Sequence, residues 1–303
     1  MVGDALGVEL AGLKLRNPLM LAAGILGVTG LSLRRVAEAG AGAVVSKSIG
    51  PEPREGYVNP TFTGTPGGFL NSMGLPNPGA EAFAPEVEIA KEGGVPVVVS
   101  IFGASKREFA HVGALMEEAG ADALELNLSC PHSKLVAFGQ NGELTFGVVE
   151  AVKNSVGVPV FAKLTPNVTD IAAVARKAEA AGADAVTCIN TLQAMAIDAE
   201  TGRPILANRF GGLSGPAIKP VALRCVFEVA DAVNIPVIGC GGITTWRDAV
   251  EFLLAGASAV QIGSAVALRD LGVFREVAEG ILAYLKKKAY GSVKDIVGLS
   301  HGF

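Results

Sequence analysis

Cysteine is scarce and scattered through this chain. Cys130, Cys188, Cys225 and Cys240 are its only four, and no two form a Cys-x-x-Cys pair. This excludes a disulfide framework, a paired-cysteine zinc site and an iron–sulfur cluster held by this chain alone. Basic runs are short, the longest being Lys286 to Lys288, and the formal net charge is −4. The broad positive face that nucleic acid requires is therefore missing. Apolar runs such as Val95 to Val99 fall far short of the ~18 residues of a membrane-spanning helix, so no membrane contact is expected either. Met1 to Leu10 show no basic leader and no cleavable apolar segment, which makes the cytoplasm the expected address. No strand-associated Gly-x-Gly-x-x-Gly marks a dinucleotide site.

What the chain has in quantity is apolar residues and glycine: half of its 303 residues are hydrophobic and 39 are glycine. That composition suits many buried strands joined by tight turns. A phrase containing Ala-Gly-Ala and then an apolar strand occurs four times, at Ala39 to Ser48, Ala119 to Ser129, Ala181 to Thr191 and Ala255 to Ser264. Between these fall Val95 to Gly103, Val158 to Pro166 and Ile235 to Ile243, in which a β-branched residue precedes Pro and an apolar run, and Asn17 to Gly24 is similar. The eight runs are rich in Val, Ile and Leu without strict alternation, as parallel strands covered on both faces are. Amphipathic stretches separate them, among them Lys106 to Glu118, Asp170 to Ala180 and Thr245 to Leu254. Eight strand–helix alternations predict an α/β fold of the closed (β/α)8 TIM-barrel type, with residues 1–303 as a single domain.

Val8 to Leu10 and Leu13 to Leu15, around Ala11-Gly12, read as an N-terminal β-hairpin that plugs the barrel's amino end. Gly50 to Pro78 and Leu192 to Pro216 are longer than a minimal barrel needs. Both follow strands on the carboxyl side, where barrel active sites are built, and read as long loops covering a substrate. Polar residues cluster at the strand ends: Lys47-Ser48, Asn127 and Cys130, Lys163, and Asn190-Thr191. Two lysines at such positions imply anionic company, because an unpaired buried ammonium is costly. Cys240-Gly241-Gly242 and Gly263-Ser264 form glycine turns, each followed by a helical stretch, where backbone amides can receive a phosphate.

Five segments, Asn71-Ser72-Met73-Gly74-Leu75, Asn127-Leu128-Ser129-Cys130-Pro131, Lys163-Leu164-Thr165-Pro166-Asn167, Gly212-Leu213-Ser214-Gly215-Pro216 and Ile238-Gly239-Cys240-Gly241-Gly242-Ile243, closely resemble the dihydroorotate dehydrogenases. Together they span most of the chain. The resemblance implies one flavin mononucleotide (FMN) per chain, its phosphate on Gly241, Gly242, Gly263 and Ser264, flanked by Gly215 and Ile189. It implies that Lys163 lies beside the flavin ring, that Lys47 contacts both flavin and substrate, and that Ala23, Ser48, Ser100 and Asn127 complete the flavin's surroundings. Asn71, Asn127, Asn190 and Thr191, with the Ser72 to Leu75 loop, would grip the pyrimidine; a carboxamide offers donors and an acceptor to a ring edge carrying both. Cys130 would be the base, taking a proton from carbon five of dihydroorotate while carbon six gives up hydride, so that orotate forms. The other three cysteines are expected to be small buried apolar residues. Ala23 stands where many relatives have serine and Ser100 where many have asparagine, which puts one or two flavin hydrogen bonds in doubt; His132, where asparagine is frequent, is expected to have a surface or packing role.

Gly211 to Pro220 and Glu52-Pro53-Arg54-Glu55-Gly56 resemble the NAD-linked soluble class (class 1B) more than the fumarate-linked one. That class implies a partner subunit carrying FAD and a 2Fe-2S cluster, and a heterotetramer built on a homodimer of this chain. The alternatives are a fumarate-linked enzyme, a flavin dehydrogenase acting on dihydrouracil, a non-redox phosphate-binding lyase using Lys163 or Lys47 as a Schiff base, and a non-catalytic binding module.

Overall fold

The computed structural model describes residues 5–128 and 138–302. Eight parallel strands close into a barrel: β1 Leu19–Leu21, β2 Ala43–Val45, β3 Val97–Ile101, β4 Ala123–Asn127, β5 Val160–Leu164, β6 Ala185–Cys188, β7 Val237–Cys240 and β8 Ala257–Ile262. They pair in chain order, with β8 returning to β1 through Val260–Leu19, Gln261–Met20 and Ile262–Leu21. Helices Gly30–Glu38, Ala80–Lys91, Lys106–Glu118, Gly142–Lys153, Ile171–Ala180, Lys219–Ala230 and Trp246–Leu254 connect successive strands on the outside. The eight strands are the eight repeated runs of the sequence, and the two phrases alternate around the ring.

Each phrase has a physical reason. In Ala-Gly-Ala the glycine follows the last helical residues and takes positive φ: 119° at Gly40, 91° at Gly120, 92° at Gly182 and 107° at Gly256. At Gly120 the amide bonds to the Glu117 carbonyl and the Ala121 amide to that of Met116, closing the helix end in the glycine-dependent manner. The same pair of bonds recurs at Gly40 and Gly182. In the other phrase the proline opens a strand, where its missing N–H is not needed, while its carbonyl accepts the neighbouring strand's bond. Val44, Leu124, Val186 and Val260 donate to Pro96, Pro159, Pro236 and Pro18 in turn.

Strand parity then sets the interior. The Ala-Gly-Ala strands turn Ala43, Ala123, Ala185 and Ala259 inward, and the proline strands add Met20, Val98, Phe161 and Ile238, all buried in one small core. Small residues from one set leave room for large ones from the other. The hairpin Val8–Leu10 with Leu13–Leu15 pairs as the sequence predicts and presses Leu10 and Leu15 onto this core, plugging the amino end. Outward residues such as Val44, Val97, Leu124 and Val186 join the larger core beneath the helices.

The two long connections are more ordered than loops. Phe62–Thr65, Gly68–Asn71, Leu192–Met195 and Phe210–Ser214 form one antiparallel sheet across the carboxyl end of the barrel. Periodicity did not reveal these strands, because they are short, glycines fall in three of the four, and the pairing that joins the two connections is some 140 residues apart, as in Gly212 with Asn71.

Gly120 has no atom within 4 Å of an added Cβ, so Gly120→Ala probes backbone strain alone. Thermal denaturation should show a loss of roughly 1–2 kcal/mol; an unchanged melting temperature would refute the helix-closing role.

Candidate active site

A cavity of about 400 Å³ lies between the strand ends and the covering sheet, within the size range of small-molecule sites. Phe62 and Phe69, stacked at 5.2 Å between centroids, line it from the sheet together with Asn71 and Met73. The barrel supplies the floor, and the turns after β7 and β8 supply one wall.

The floor follows from the same parity. Two residues beyond the inward alanines stand Val45, Glu125, Thr187 and Gln261; two beyond the large residues stand Ala22, Ser100, Lys163 and Cys240. Glu125 is fully buried. Its carboxylate accepts from Lys163 Nζ at 3.1 Å, Thr187 Oγ1 at 3.0 Å and Gln261 Nε2 at 2.5 Å, and Lys163 also donates to Gln261 Oε1 at 2.9 Å. Burial works to lower the Lys163 ammonium, but Glu125 outweighs it and the group is held above the usual lysine range. The anionic company that the sequence demanded for Lys163 is thus the protein's own.

Lys47 differs. Among the described residues its ammonium has no ion pair or hydrogen bond, and burial alone pushes it below the usual range. Adjacent to it, a polar chain crosses the floor: Asn190 Nδ2 donates to Asn127 Oδ1, Asn127 Nδ2 to Ser48 Oγ, and Ser48 Oγ lies 2.9 Å from Ser100 Oγ. An unpaired cation beside carboxamides can take a ligand that joins a carboxylate to a polar ring edge.

On the wall, Gly215, Gly241 and Gly242 all have positive φ. A Cβ at Gly242 would sit 2.8 Å from Lys219 Cβ and 2.9 Å from the Gly215 carbonyl. The amides of Gly242 and Gly263 donate to no acceptor among the described residues, and both glycines line the cavity. Unsatisfied amides in a side-chain-free cradle fit a phosphate. The helix after β7 begins only at Trp246, so the turn rather than a helix start would supply these donors. Asp248 ties that turn down, accepting from the amides and hydroxyls of Thr244 and Thr245 and from Lys219 Nζ. Burial opposes ionisation, but these five bonds hold the carboxyl down at about 2.

Most residues implicated by the sequence meet here. Ala23, Lys47, Ser48, Asn127, Lys163 and Ile189 line the cavity, as do Gly215, Gly241, Gly242, Gly263 and Ser264; so do Asn71, Met73, Leu75, Asn190 and Thr191. Ser100 is buried beneath Ser48 and reaches the cavity only through it. Ser72 and Gly74 are not on the lining, and the Ser72 hydroxyl is buried without a partner among the described residues. Cys130, Ser129, Pro131 and His132 lie outside the described residues. Cys188 and Cys225 are buried as expected, but Cys240 lines the cavity beside Lys163, its thiol pushed up by burial. Glu125, Thr187 and Gln261 were missed; aligning the four Ala-Gly-Ala phrases places them all at the seventh position, which was the available signal.

Fold and site define an α/β barrel whose mouth combines a glycine cradle, an ammonium unpaired among the described residues and a row of carboxamides. The family model for dihydroorotate dehydrogenase matches residues 5–285. "Dihydroorotate dehydrogenase B (NAD(+)), catalytic subunit" of Pyrococcus abyssi is 57% identical over 297 residues, 97% of this chain and 99% of its own. The proteins of the same name from Methanosarcina mazei and Thermococcus kodakarensis are 55% and 54% identical, covering 96% and 97% of this chain and 94% and 98% of theirs. The chain belongs to the dihydroorotate dehydrogenase family.

Asp248 has a folded-state pKa depressed from 3.8 to about 2, so its contribution is complete above about pH 4 and is lost as pH falls towards 2. Asp248→Asn should cost on the order of 1–3 kcal/mol at pH 7. The gap between the variant and wild-type denaturation curves should narrow below pH 4; a gap independent of pH would refute the assignment.

Proposed function

We propose that this chain oxidises (S)-dihydroorotate to orotate in pyrimidine biosynthesis, with FMN in the mouth cavity and electrons passed to NAD through a partner subunit. The observation that carries this reading is the division of labour between the two lysines. Lys163 is already neutralised by Glu125, whereas Lys47 faces the cavity without an anion among the described residues. A substrate carboxylate there would return Lys47 towards its ordinary pKa and would be fixed in place. The relatives, similar over nearly their whole length, carry the matching name.

The residues present fit FMN. Gly242 and Gly263, with Gly241 and Ser264, would hold its phosphate, and Ala23, Ile189 and Gly215 would flank it. Bound there, FMN supplies an acceptor for the two electrons and proton that leave carbon six as hydride. Asn71, Asn127, Asn190 and Thr191 would orient the pyrimidine, with Ser48 and Ser100 supporting Asn127 from beneath. Cys130, as thiolate, would take the proton from carbon five, leaving the double bond of orotate. The covering sheet would shield the reacting carbons from water.

The partner subunit would carry FAD and a 2Fe-2S cluster, on a homodimer of this chain in a cytoplasmic heterotetramer. Among the described residues no helix is long and apolar enough to cross a membrane. Isolation of this chain alone, turning over with fumarate but not with NAD plus partner, would overturn the NAD-linked assignment.

The purified protein should be yellow and should bleach anaerobically when dihydroorotate is added. Cys130→Ala should keep the flavin and lose ~100-fold or more in reduction rate. Lys47→Ala should weaken dihydroorotate binding by ~10-fold or more, as expected for a charge-assisted contact. Reduction equally fast in both variants would sink the reading.

A further inference from the structure

The floor holds one group that the proposed chemistry does not use, and it is a costly one to keep. Glu125 is a carboxylate with no exposed surface, placed in the polar layer directly above the inward alanines and large apolar side chains. A buried ion pair commonly contributes less stability than well-packed apolar residues would, so its presence calls for a role. Its geometry is closed. Lys163 Nζ bridges Glu125 Oε1 and Gln261 Oε1, while Gln261 Nε2 and Thr187 Oγ1 both donate to Glu125 Oε2. An ammonium has three N–H groups. Two of those of Lys163 are taken by this ring, and Lys163 and Gln261 are its only members on the cavity lining.

Resting on the functional reading above, we propose that Glu125 is a positioning residue: with Gln261 and Thr187 it keeps Lys163 charged and fixes its direction, so that one remaining N–H is presented to the flavin. The pair is neutral as a whole and acts on the cavity as an oriented dipole, positive end outward, rather than as a net charge. Gln261 sets the angle, because it joins both partners from β8, across the barrel from β4 and β5. The other groups around Lys163 are few. Glu125 comes from β4 and the Cys240 thiol from β7; Thr187 on β6 and Gln261 on β8 are uncharged, and Lys47 shares the cavity without pairing.

Glu125→Gln removes the charge and nearly keeps the shape. In the holoenzyme with FMN bound and no substrate, burial should then drive Lys163 to release its proton well below the usual lysine range, as unpaired buried lysines do. The flavin absorbance of Glu125→Gln should show a titration below that range. Wild type should show none, and the double variant Glu125→Gln/Lys163→Gln should lose it. A flat profile in Glu125→Gln would overturn the proposal, as would a transition that survives Lys163→Gln but disappears with Cys240→Ala.

Melting provides a second arm that needs no flavin. Glu125→Gln should melt roughly 5–10 °C below wild type, because an ammonium is left buried without its partner. Lys163→Met in the same background should recover most of that loss, and no recovery would refute the pairing even if the single variant fails to fold. If the wild type takes up no FMN, the functional reading fails, and the melting arm still decides whether Glu125 holds Lys163.

Discussion

Parity in a closed ring is the constraint on which the rest of this structure depends. Eight strands of two alternating kinds leave no freedom about which side chain faces the axis at each height, since a slip of one residue would turn every inward group outward. Alanines and large apolar residues fill the lower heights. Two residues further along the same strands, the interior becomes Glu125, Thr187, Gln261, Lys163, Cys240 and Ser100. The floor of the cavity is therefore built on the barrel strands and is continuous with the hydrophobic core beneath it.

Stability and function draw on different ends of the same strands. At the amino ends the prolines and the glycine-closed helix ends fix register, and the hairpin seals the barrel with Leu10 and Leu15. At the carboxyl ends the backbone turns away from regular pairing, and the turn after β7 is instead held by side chains, four of its bonds converging on Asp248, which Lys219 also engages. That substitution is what allows Gly242 to keep its amide unspent: a turn closed by its own backbone bonds would have no donor left for a phosphate.

Much of this was legible in the residues. The repeated phrases gave all eight barrel strands, and the hairpin and helix Lys106–Glu118 fall within the expected bounds. Glycine turns and strand-end polar residues located the cavity because their position in a barrel determines where they point. The covering sheet was not legible: Phe62–Thr65 and Phe210–Ser214 are short, glycine-bearing strands stabilised by each other's neighbours rather than by their own pattern. Glu125 was missed for a different reason. Inside a run reading Ala-Leu-Glu-Leu-Asn a single carboxylate gives no hint of whether it is solvated or buried, and only the register of β4 against β5, which sets Asn127 beside Lys163, reveals its partner.

The contrast between Lys47 and Lys163 follows from depth. A lysine in the layer directly above the apolar core has no water to compensate its charge, so it persists as an ammonium only with an internal carboxylate, and the chain supplies Glu125. Lys47 is half-buried and lines the cavity, where burial lowers its pKa. It can therefore remain unpaired until an anion arrives. Exchanging the two environments would reverse the pattern: a carboxylate beside Lys47 would pair with it, and burial would press an unpartnered Lys163 to give up its proton. The asymmetry gives one lysine an internal carboxylate and leaves the other without one among the described residues, and it explains why two residues of the same type, one beyond β2 and one in β5, are not interchangeable.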